Sequence, residues 1–169
     1  MKISNLCVCV CFLIFGQLQP NARAAAVPVK SKGETTLQST LGKLKVEVKI
    51  RTHEVPNGTP ANPVKPKDSA CTMSRIPCSP VDAIKISVNK TPLFVPRSAF
   101  ADLADLGTAE LAVENGRNIL VLEGGDASES YIVKIAFTSK SITRRTLVDA
   151  EFPDELLEET VYHLGRGTD

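Results

Sequence analysis

The sequence contains no tryptophan, two tyrosines and two histidines among its 169 residues. Aromatic rings on which nucleic-acid bases stack are therefore scarce, and the formal net charge of +1 leaves no basic excess for a phosphate backbone. We expect no nucleic-acid partner. Hydrophobic residues make up 43% and charged residues 23% of the chain, a composition typical of a folded globular domain.

The chain also lacks an apolar run as long as the roughly 20 residues that a membrane-spanning helix needs. Its most apolar run, residues 6–15, is about half that length and follows Lys2. The tripeptide Ala-Arg-Ala at 22–24 then matches the pattern of signal-peptide cleavage sites. We predict a secretory signal peptide over residues 1–24, a periplasmic or secreted location, and no membrane insertion after cleavage.

Only two of the five cysteines, Cys71 and Cys78, lie beyond this leader. In an oxidising compartment, two cysteines this close in sequence predict a disulfide. Closing so short a loop stabilises a fold by about 2–3 kcal/mol in the chain-entropy model. A metal site using both thiolates with His53 and His163 is disfavoured, because zinc sites show paired short spacings. We expect no metal and no cofactor.

Alternation of apolar and polar residues predicts a series of short strands with turn signals between them. The predicted strands are 44–50, 83–88, 93–95, 109–114, 117–122, 130–138, 142–149 and 159–164. A short helix is predicted over 97–106, where Phe100, Leu103 and Ala104 recur at helical spacing. The pattern predicts a mainly β fold, an antiparallel sandwich or barrel-like sheet of about seven or eight strands with one short helix.

The dipeptide Asn-Gly at 115–116 is the strongest hairpin signal in the chain, because a type I′ turn needs two residues with positive φ. A two-residue loop there pairs Glu114 with Arg117 and Leu111 with Leu120. This register gathers apolar side chains on one face. The second strand is apolar on both faces, so we expect it to lie centrally in its sheet.

Composition divides the chain into four parts: a signal peptide (1–24), an N-terminal part (25–70), a β domain (71–164) and a tail (165–169). Within the N-terminal part, residues 25–40 are small and polar and predict a loose arm. The strand at 44–50 is expected at the edge of the sheet. Four prolines between positions 56 and 66 then predict an irregular surface loop.

Small, acidic and hydroxyl side chains are densest at 124–131, where a glycine-rich turn enters a predicted strand. Three interpretations are open. In the first, the loop is a tight turn in which the Asp126 and Ser128 side chains accept hydrogen bonds from backbone amides. In the second, the loop inserts into a partner protein. In the third, Glu123, Asp126 and Glu129 form a cation or catalytic site. The candidate partner-binding residues are Asp126, Ser128, Glu129, Ser130 and Tyr131.

A hydrolase needs a base beside its nucleophile, and the available bases are the isolated His53 and His163. The chain contains no G-x-S-x-G nucleophile elbow. We predict that it is not an enzyme. The hydrolase hypothesis requires His163 within hydrogen-bond distance of Ser128, Ser130 or Asp126.

The C-terminal part of the chain is acidic: residues 148–169 carry seven acidic side chains and one basic one. We interpret this segment, including Glu158 and Glu159, as solvated surface. Arg144 and Arg145 form an adjacent basic pair just before it. On a strand they point to opposite faces, so they cannot clamp one phosphate, and we interpret both as solvated.

The run Ser128-Glu129-Ser130-Tyr131, placed where a loop enters a strand, resembles the Ser-Gly-x-Tyr motif of the periplasmic inhibitors of invertebrate-type lysozyme. Those inhibitors are secreted bacterial β-sheet proteins that push such a loop into the lysozyme cleft. Glu129 stands where the motif has glycine. The resemblance implies that Ser128 and Tyr131 contact the enzyme.

These patterns favour an exported binding module that is not an enzyme and whose partner is another protein. Inhibition of a cell-wall hydrolase such as lysozyme is its most concrete form. The alternative is a structural or assembly protein of the cell envelope without a discrete site, and the third hypothesis is a small hydrolase. No oligomeric state is predicted.

Overall fold

The computed structural model describes residues 23–64, 70–71, 75–126 and 129–163. The predicted signal peptide, apart from its last two residues, and the predicted tail lie outside the described residues. The described part forms twelve strands and one 3-10 turn. They are β1 (Val27–Pro28), β2 (Gly33–Leu41), β3 (Leu44–Thr52), β4 (Gly58–Thr59), β5 (Asn62–Pro63), β6 (Val81–Val88), β7 (Thr91–Pro92), the 3-10 turn (Arg97–Ala99), β8 (Leu106–Glu114), β9 (Arg117–Gly124), β10 (Tyr131–Phe137), β11 (Ile142–Asp149) and β12 (Leu156–Val161).

The strands form two packed antiparallel sheets and a small ribbon made by β4 and β5. The larger sheet has the order β1-β8-β9-β10-β11-β12, and the smaller has the order β2-β3-β6-β7. Each sheet of the described chain ends in an edge strand and does not close on itself. The predicted mainly β fold is confirmed as a sandwich rather than a barrel.

The core lies between the two sheets, because each strand turns alternate side chains inward. Val48, Ile50 and Ile86 of the smaller sheet belong to one buried cluster with Leu120 and Ile135 of the larger sheet. All five side chains are completely buried. This cluster is the rigid base on which the loops at the ends of the sheets are placed.

The predicted hairpin around residues 115–116 is confirmed in both its turn and its register. Asn115 and Gly116 have φ values of 50° and 74°, as a type I′ turn requires. Glu114 pairs with Arg117, and Leu111 pairs with Leu120. β9 lies between β8 and β10, so the prediction of a central strand is also confirmed.

The prediction of a loose arm over residues 25–40 is wrong, because its whole second half belongs to β2. This strand pairs along its full length with β3, from Gly33 opposite Thr52 to Leu41 opposite Leu44. Gly42 opens the two-residue connection with a φ of 61°, as in the Gly-first hairpin turn. The strand predicted at 44–50 therefore lies between β2 and β6 in the interior of its sheet, not at the edge.

The predicted helix over 97–106 is reduced to the 3-10 turn, although Phe100, Leu103 and Ala104 are buried as expected. The backbone of this segment instead pairs with residues at and just before the start of β6. The Leu103 carbonyl accepts the Val81 N–H at 2.9 Å, and Ala104 forms a β-bridge with Pro80. A short helix costs more to nucleate than it gains, so these tertiary bonds decide the conformation.

Several strand boundaries also differ from the predicted ones. Residues 93–95 form no strand, and the short strand of this region is β7. The last strand begins at Leu156 and ends at Val161, earlier than the predicted 159–164. The proline-rich segment is not wholly irregular, because β4 and β5 pair within it.

Candidate partner-binding loop

Cys71 and Cys78 form the predicted disulfide, with their Cα atoms 5.8 Å apart. Cys78 is completely buried and forms a β-bridge with Val55, so the bond ties this short loop to the body of the protein. Such bonds persist in oxidising compartments. Among the described residues, no helix is long and apolar enough to cross a membrane.

The base of the 124–131 loop is closed by Tyr131, which pairs with Gly124 across β9 and β10. The Tyr131 hydroxyl donates a hydrogen bond of 2.5 Å to the Ala104 carbonyl. The ring covers Gly124 so closely that a Cβ atom there would lie 2.5 Å from the hydroxyl oxygen. A glycine at this position is what permits the aromatic ring to cover the strand end.

Burial raises the pKa of the Tyr131 hydroxyl, and the Ala104 hydrogen bond opposes that rise without cancelling it. Tyr131 is half-buried and packs against the main core cluster. The phenol therefore stays protonated at neutral pH and keeps its hydrogen atom for the Ala104 carbonyl.

Three backbone hydrogen bonds fix the loop to its surroundings. The Gly125 N–H donates to the Asp105 carbonyl at 3.2 Å, and the Glu129 N–H donates to the Asp126 carbonyl at 3.0 Å. The Ala150 N–H donates to the Ser130 carbonyl at 3.1 Å. Gly125 has a φ of 77°, so the turn uses a conformation that a larger residue rarely adopts.

Asp105 connects this loop to the disulfide region. Its carboxylate accepts the Ser79 N–H at 2.8 Å, and its own N–H donates to the Ser79 carbonyl at 2.9 Å. Its carbonyl accepts the Arg75 guanidinium at 3.1 Å as well as the Gly125 N–H. One residue therefore links the chain beside Cys78 to the start of the candidate loop.

The environment of Asp105 raises the pKa of its carboxyl group, chiefly through burial. The Ser79 hydrogen bond and the charge of Arg75 lower the pKa, while the neighbouring charge of Asp126 raises it. Asp105 is 4% exposed. Asp105 carries no local sequence signal, because its role depends on contacts with segments distant in sequence.

The structure brings the predicted contact residues together in one loop, with different degrees of exposure. Asp126 and Glu129 are exposed, whereas Ser130 and Tyr131 are half-buried. Ser128 lies outside the described residues. A groove of about 380 Å³ runs beside the loop, lined by residues that include Thr108, Glu123, Ser130, Ile132 and Ala150.

His163 is remote from this loop in the register of the sheet. The Tyr162 N–H, next to His163, donates to the Thr143 carbonyl near the start of β11. Tyr131 pairs with Asp149 at the other end of β11. Six residues along β11 separate Thr143 from Asp149, which corresponds to about 20 Å at the usual rise per strand residue.

His53 has a partner of its own: its Nδ1 atom lies 2.8 Å from a carboxylate oxygen of Asp82. Asp82 also lies 3.6 Å from the Nε atom of Arg51. Within the described ranges there is no group of three or more His, Cys, Asp or Glu side chains placed to hold a metal ion. Glu123, Asp126 and Glu129 do not form such a group.

Arg144 and Arg145 point to opposite faces of β11, as predicted, but only one of them is solvated. Arg144 pairs with Glu159 on the outer face. The Arg145 side chain is 1% exposed and donates to Glu158 at 2.7 Å and to Asp102 at 2.5 Å. The interpretation of both arginines as solvated is therefore wrong for Arg145.

A comparison of the chain with protein-family models, with curated proteins and with solved structures found no match.

Proposed function

We propose that this chain is an exported binding module for another protein and that residues 124–131 form its contact loop. In the most specific form of this proposal the partner is a cell-wall hydrolase such as lysozyme, and the location is periplasmic or secreted. The proposal includes no catalysis by the chain itself.

The observation that carries the proposal is an exposed loop on a fixed base. Asp126 and Glu129 are exposed, while the backbone around them is held by Asp105, Ser130 and Tyr131. A loop whose ends are already fixed loses less conformational entropy on binding than a free one. Binding residues carried on loops above a rigid sheet are common for this reason.

The half-buried Tyr131 favours the alternative function, a structural or assembly protein in which this loop is only a turn. Its hydroxyl is already bonded to Ala104 and its ring already covers Gly124. In that case the exposed carboxylates of Asp126 and Glu129 bind no partner protein. The hydrolase hypothesis gains no support, because His163 and Ser130 belong to opposite ends of the sheet.

The test measures lysis of bacterial cell walls by purified c-, g- and i-type lysozymes with the processed chain added. Inhibition of at least one type is expected, and Glu129→Lys is expected to weaken it by about tenfold or more, as loss of a contact residue does. Glu34→Lys makes the same charge change on the smaller sheet and is expected to leave inhibition unchanged.

Thermal unfolding of each variant separates loss of contact from loss of fold. Glu129 is exposed, so the midpoint of Glu129→Lys is expected to match that of the parent chain. Absence of inhibition for all three enzymes removes the lysozyme form of the proposal. Equal inhibition by the parent and Glu129→Lys chains removes the loop as the contact site.

A further inference from the structure

Large apolar side chains are exposed together at one edge of the larger sheet. Six such side chains are exposed among the described residues, and four of them lie on β12 or in the turn before it. These are Phe152, Leu156, Leu157 and Val161, with exposed fractions of 58%, 55%, 59% and 47%. A concentration of exposed apolar side chains along one edge strand indicates an interaction surface.

β12 is the last strand in the order of its sheet, and the described chain places no strand beyond it. The Tyr162 N–H points toward β11, because it donates to the Thr143 carbonyl. Since the direction alternates along a strand, the N–H groups of Glu159 and Val161 point away from the sheet. The strand contains no lysine or proline, and the charges that protect its edge are the negative ones of Glu158 and Glu159, which oppose acidic or neutral strands more than basic ones.

The surroundings of this edge are strongly acidic. Residues 149–159 carry six acidic side chains and no basic one. Glu158 and Glu159 are paired with Arg145 and Arg144. The other four, Asp149, Glu151, Asp154 and Glu155, form no ion pair with another described residue.

We propose that β12 is a docking strand for an extended protein segment in which apolar and basic side chains alternate. The segment adds to the larger sheet and bonds with the outward N–H and C=O groups of Glu159 and Val161. Its apolar side chains pack on Leu156 and Val161, and its basic side chains meet the unpaired carboxylates beside the strand. The proposal does not depend on the contact loop, although the turn before β12 borders that loop: Asp149 pairs with Tyr131, and the Ala150 N–H donates to the Ser130 carbonyl.

Charge argues against a second copy of the same chain as the occupant. An antiparallel pair of β12 strands centred on Glu159 places this residue opposite its own copy and brings together two segments that each carry six acidic side chains and no basic one. Like charges opposite each other destabilise a strand pair. A basic segment removes this repulsion and adds attraction, which weakens as salt screens it.

The test uses an eight-residue peptide of alternating lysine and valine, with blocked ends and a fluorescent label, added to the processed chain. Binding is followed by fluorescence anisotropy at low and at high salt. Two further peptides serve as comparisons, one with glutamate in place of lysine and one with glycine in place of valine. Both are expected to bind about tenfold more weakly or not at all.

Val161→Pro is the decisive variant, because it removes an outward N–H without removing a bond to β11. We expect its affinity for the lysine-valine peptide to fall by about tenfold or more. Val161→Thr keeps the N–H and a branched side chain, and its affinity is expected to stay within about threefold of the parent. Unfolding midpoints confirm that both variants are folded.

Should Val161→Pro fail to fold, a lysine-valine peptide methylated at alternate backbone nitrogens replaces it, and loss of binding is again expected. Equal binding of the parent and Val161→Pro chains, or of the methylated and unmethylated peptides, overturns the proposal. Concentration-dependent dimerisation that Val161→Pro abolishes also overturns it, because the occupant is then a second copy. Val161→Pro is expected to leave lysozyme inhibition unchanged, because Val161 pairs with Arg144 at the end of β11 away from Tyr131, and this result separates the strand from the proposed contact loop.

Discussion

Arg144 and Arg145 are neighbours on β11 and occupy opposite environments. Arg144 lies on the outer face of the larger sheet, where its side chain is 43% exposed and pairs with Glu159. Arg145 lies on the inner face, where it bonds to Glu158 of β12 and to Asp102 after the 3-10 turn. An exposed pair is worth little, whereas a buried charge that loses its partners is costly.

The difference between the two arginines shows how β12 and the segment after the 3-10 turn are attached to β11. The two carboxylates that hold Arg145 are each 51% exposed, so the guanidinium is buried while its partners remain in contact with water. Its Nε atom has no hydrogen-bond partner among the described residues. Arg145 therefore attaches both β12 and the segment after the 3-10 turn to β11 through two bonds.

The largest effect is expected from removing both carboxylates, Asp102→Ala with Glu158→Ala. The buried Arg145 then loses both of its ion pairs, and the free energy of unfolding is expected to fall by about 3–5 kcal/mol. Urea unfolding measures the change. A loss below about 1 kcal/mol contradicts the contrast drawn between the two arginines, because exposed pairs already account for that much.

A smaller effect is expected from Asp105→Asn, which removes a buried negative charge but keeps an oxygen for the Ser79 N–H. The pKa of Asp105 is raised above its ordinary value of 3.8 in the folded chain. Between pH 3.8 and that raised pKa, the folded state therefore binds more protons than the unfolded state. The contribution of this group to stability therefore falls as pH rises through that window.

We expect this fall to be absent in Asp105→Asn, so its stability relative to the parent chain increases with pH across the window. Urea midpoints measured in steps from pH 4 to pH 7 give the difference between the two chains. A constant difference at every pH shows that Asp105 has the same pKa in both states.

The smallest effect is expected from Arg144→Ala, which breaks only the outer pair with Glu159. Its free energy of unfolding is expected to change by less than about 1 kcal/mol, because both side chains keep contact with water. The change is expected to shrink further in high salt. If the free energy of unfolding falls as much as in the Asp102 and Glu158 double variant, the exposed pair stabilises the fold as strongly as the buried arginine's pairs, and the contrast is wrong.

The sequence was most informative where local chemistry determines structure. Asn115 and Gly116 specify their turn by backbone preference alone, and the register of β8 and β9 follows from it. The β2–β3 hairpin was missed because β2 is mostly polar and threonine-rich, with only Leu37 and Leu41 as large apolar residues. Its turn depends on Gly42, which is a weaker signal than Asn-Gly.

The candidate loop was located by composition, but its supports were not. Asp105, Ala104 and Arg75 act on it through contacts between segments distant in sequence, and none of them belongs to a local motif. The burial of Arg145 was missed for the same reason. A strand pattern shows which face a residue occupies, but not which other segment supplies its partner.

The hydrogen bond from Tyr131 to Ala104 gives the protein an optical probe of its own. The chain has no tryptophan and two tyrosines, so its near-ultraviolet emission comes from Tyr131 and Tyr162. The Tyr162 hydroxyl accepts a hydrogen bond from the Ser98 hydroxyl at 3.4 Å, and its ring packs against the core cluster. Tyr162→Phe keeps that ring and leaves Tyr131 as the single tyrosine emitter. The fluorescence of that variant reports directly on whether the base of the 124–131 loop is closed, without any added dye.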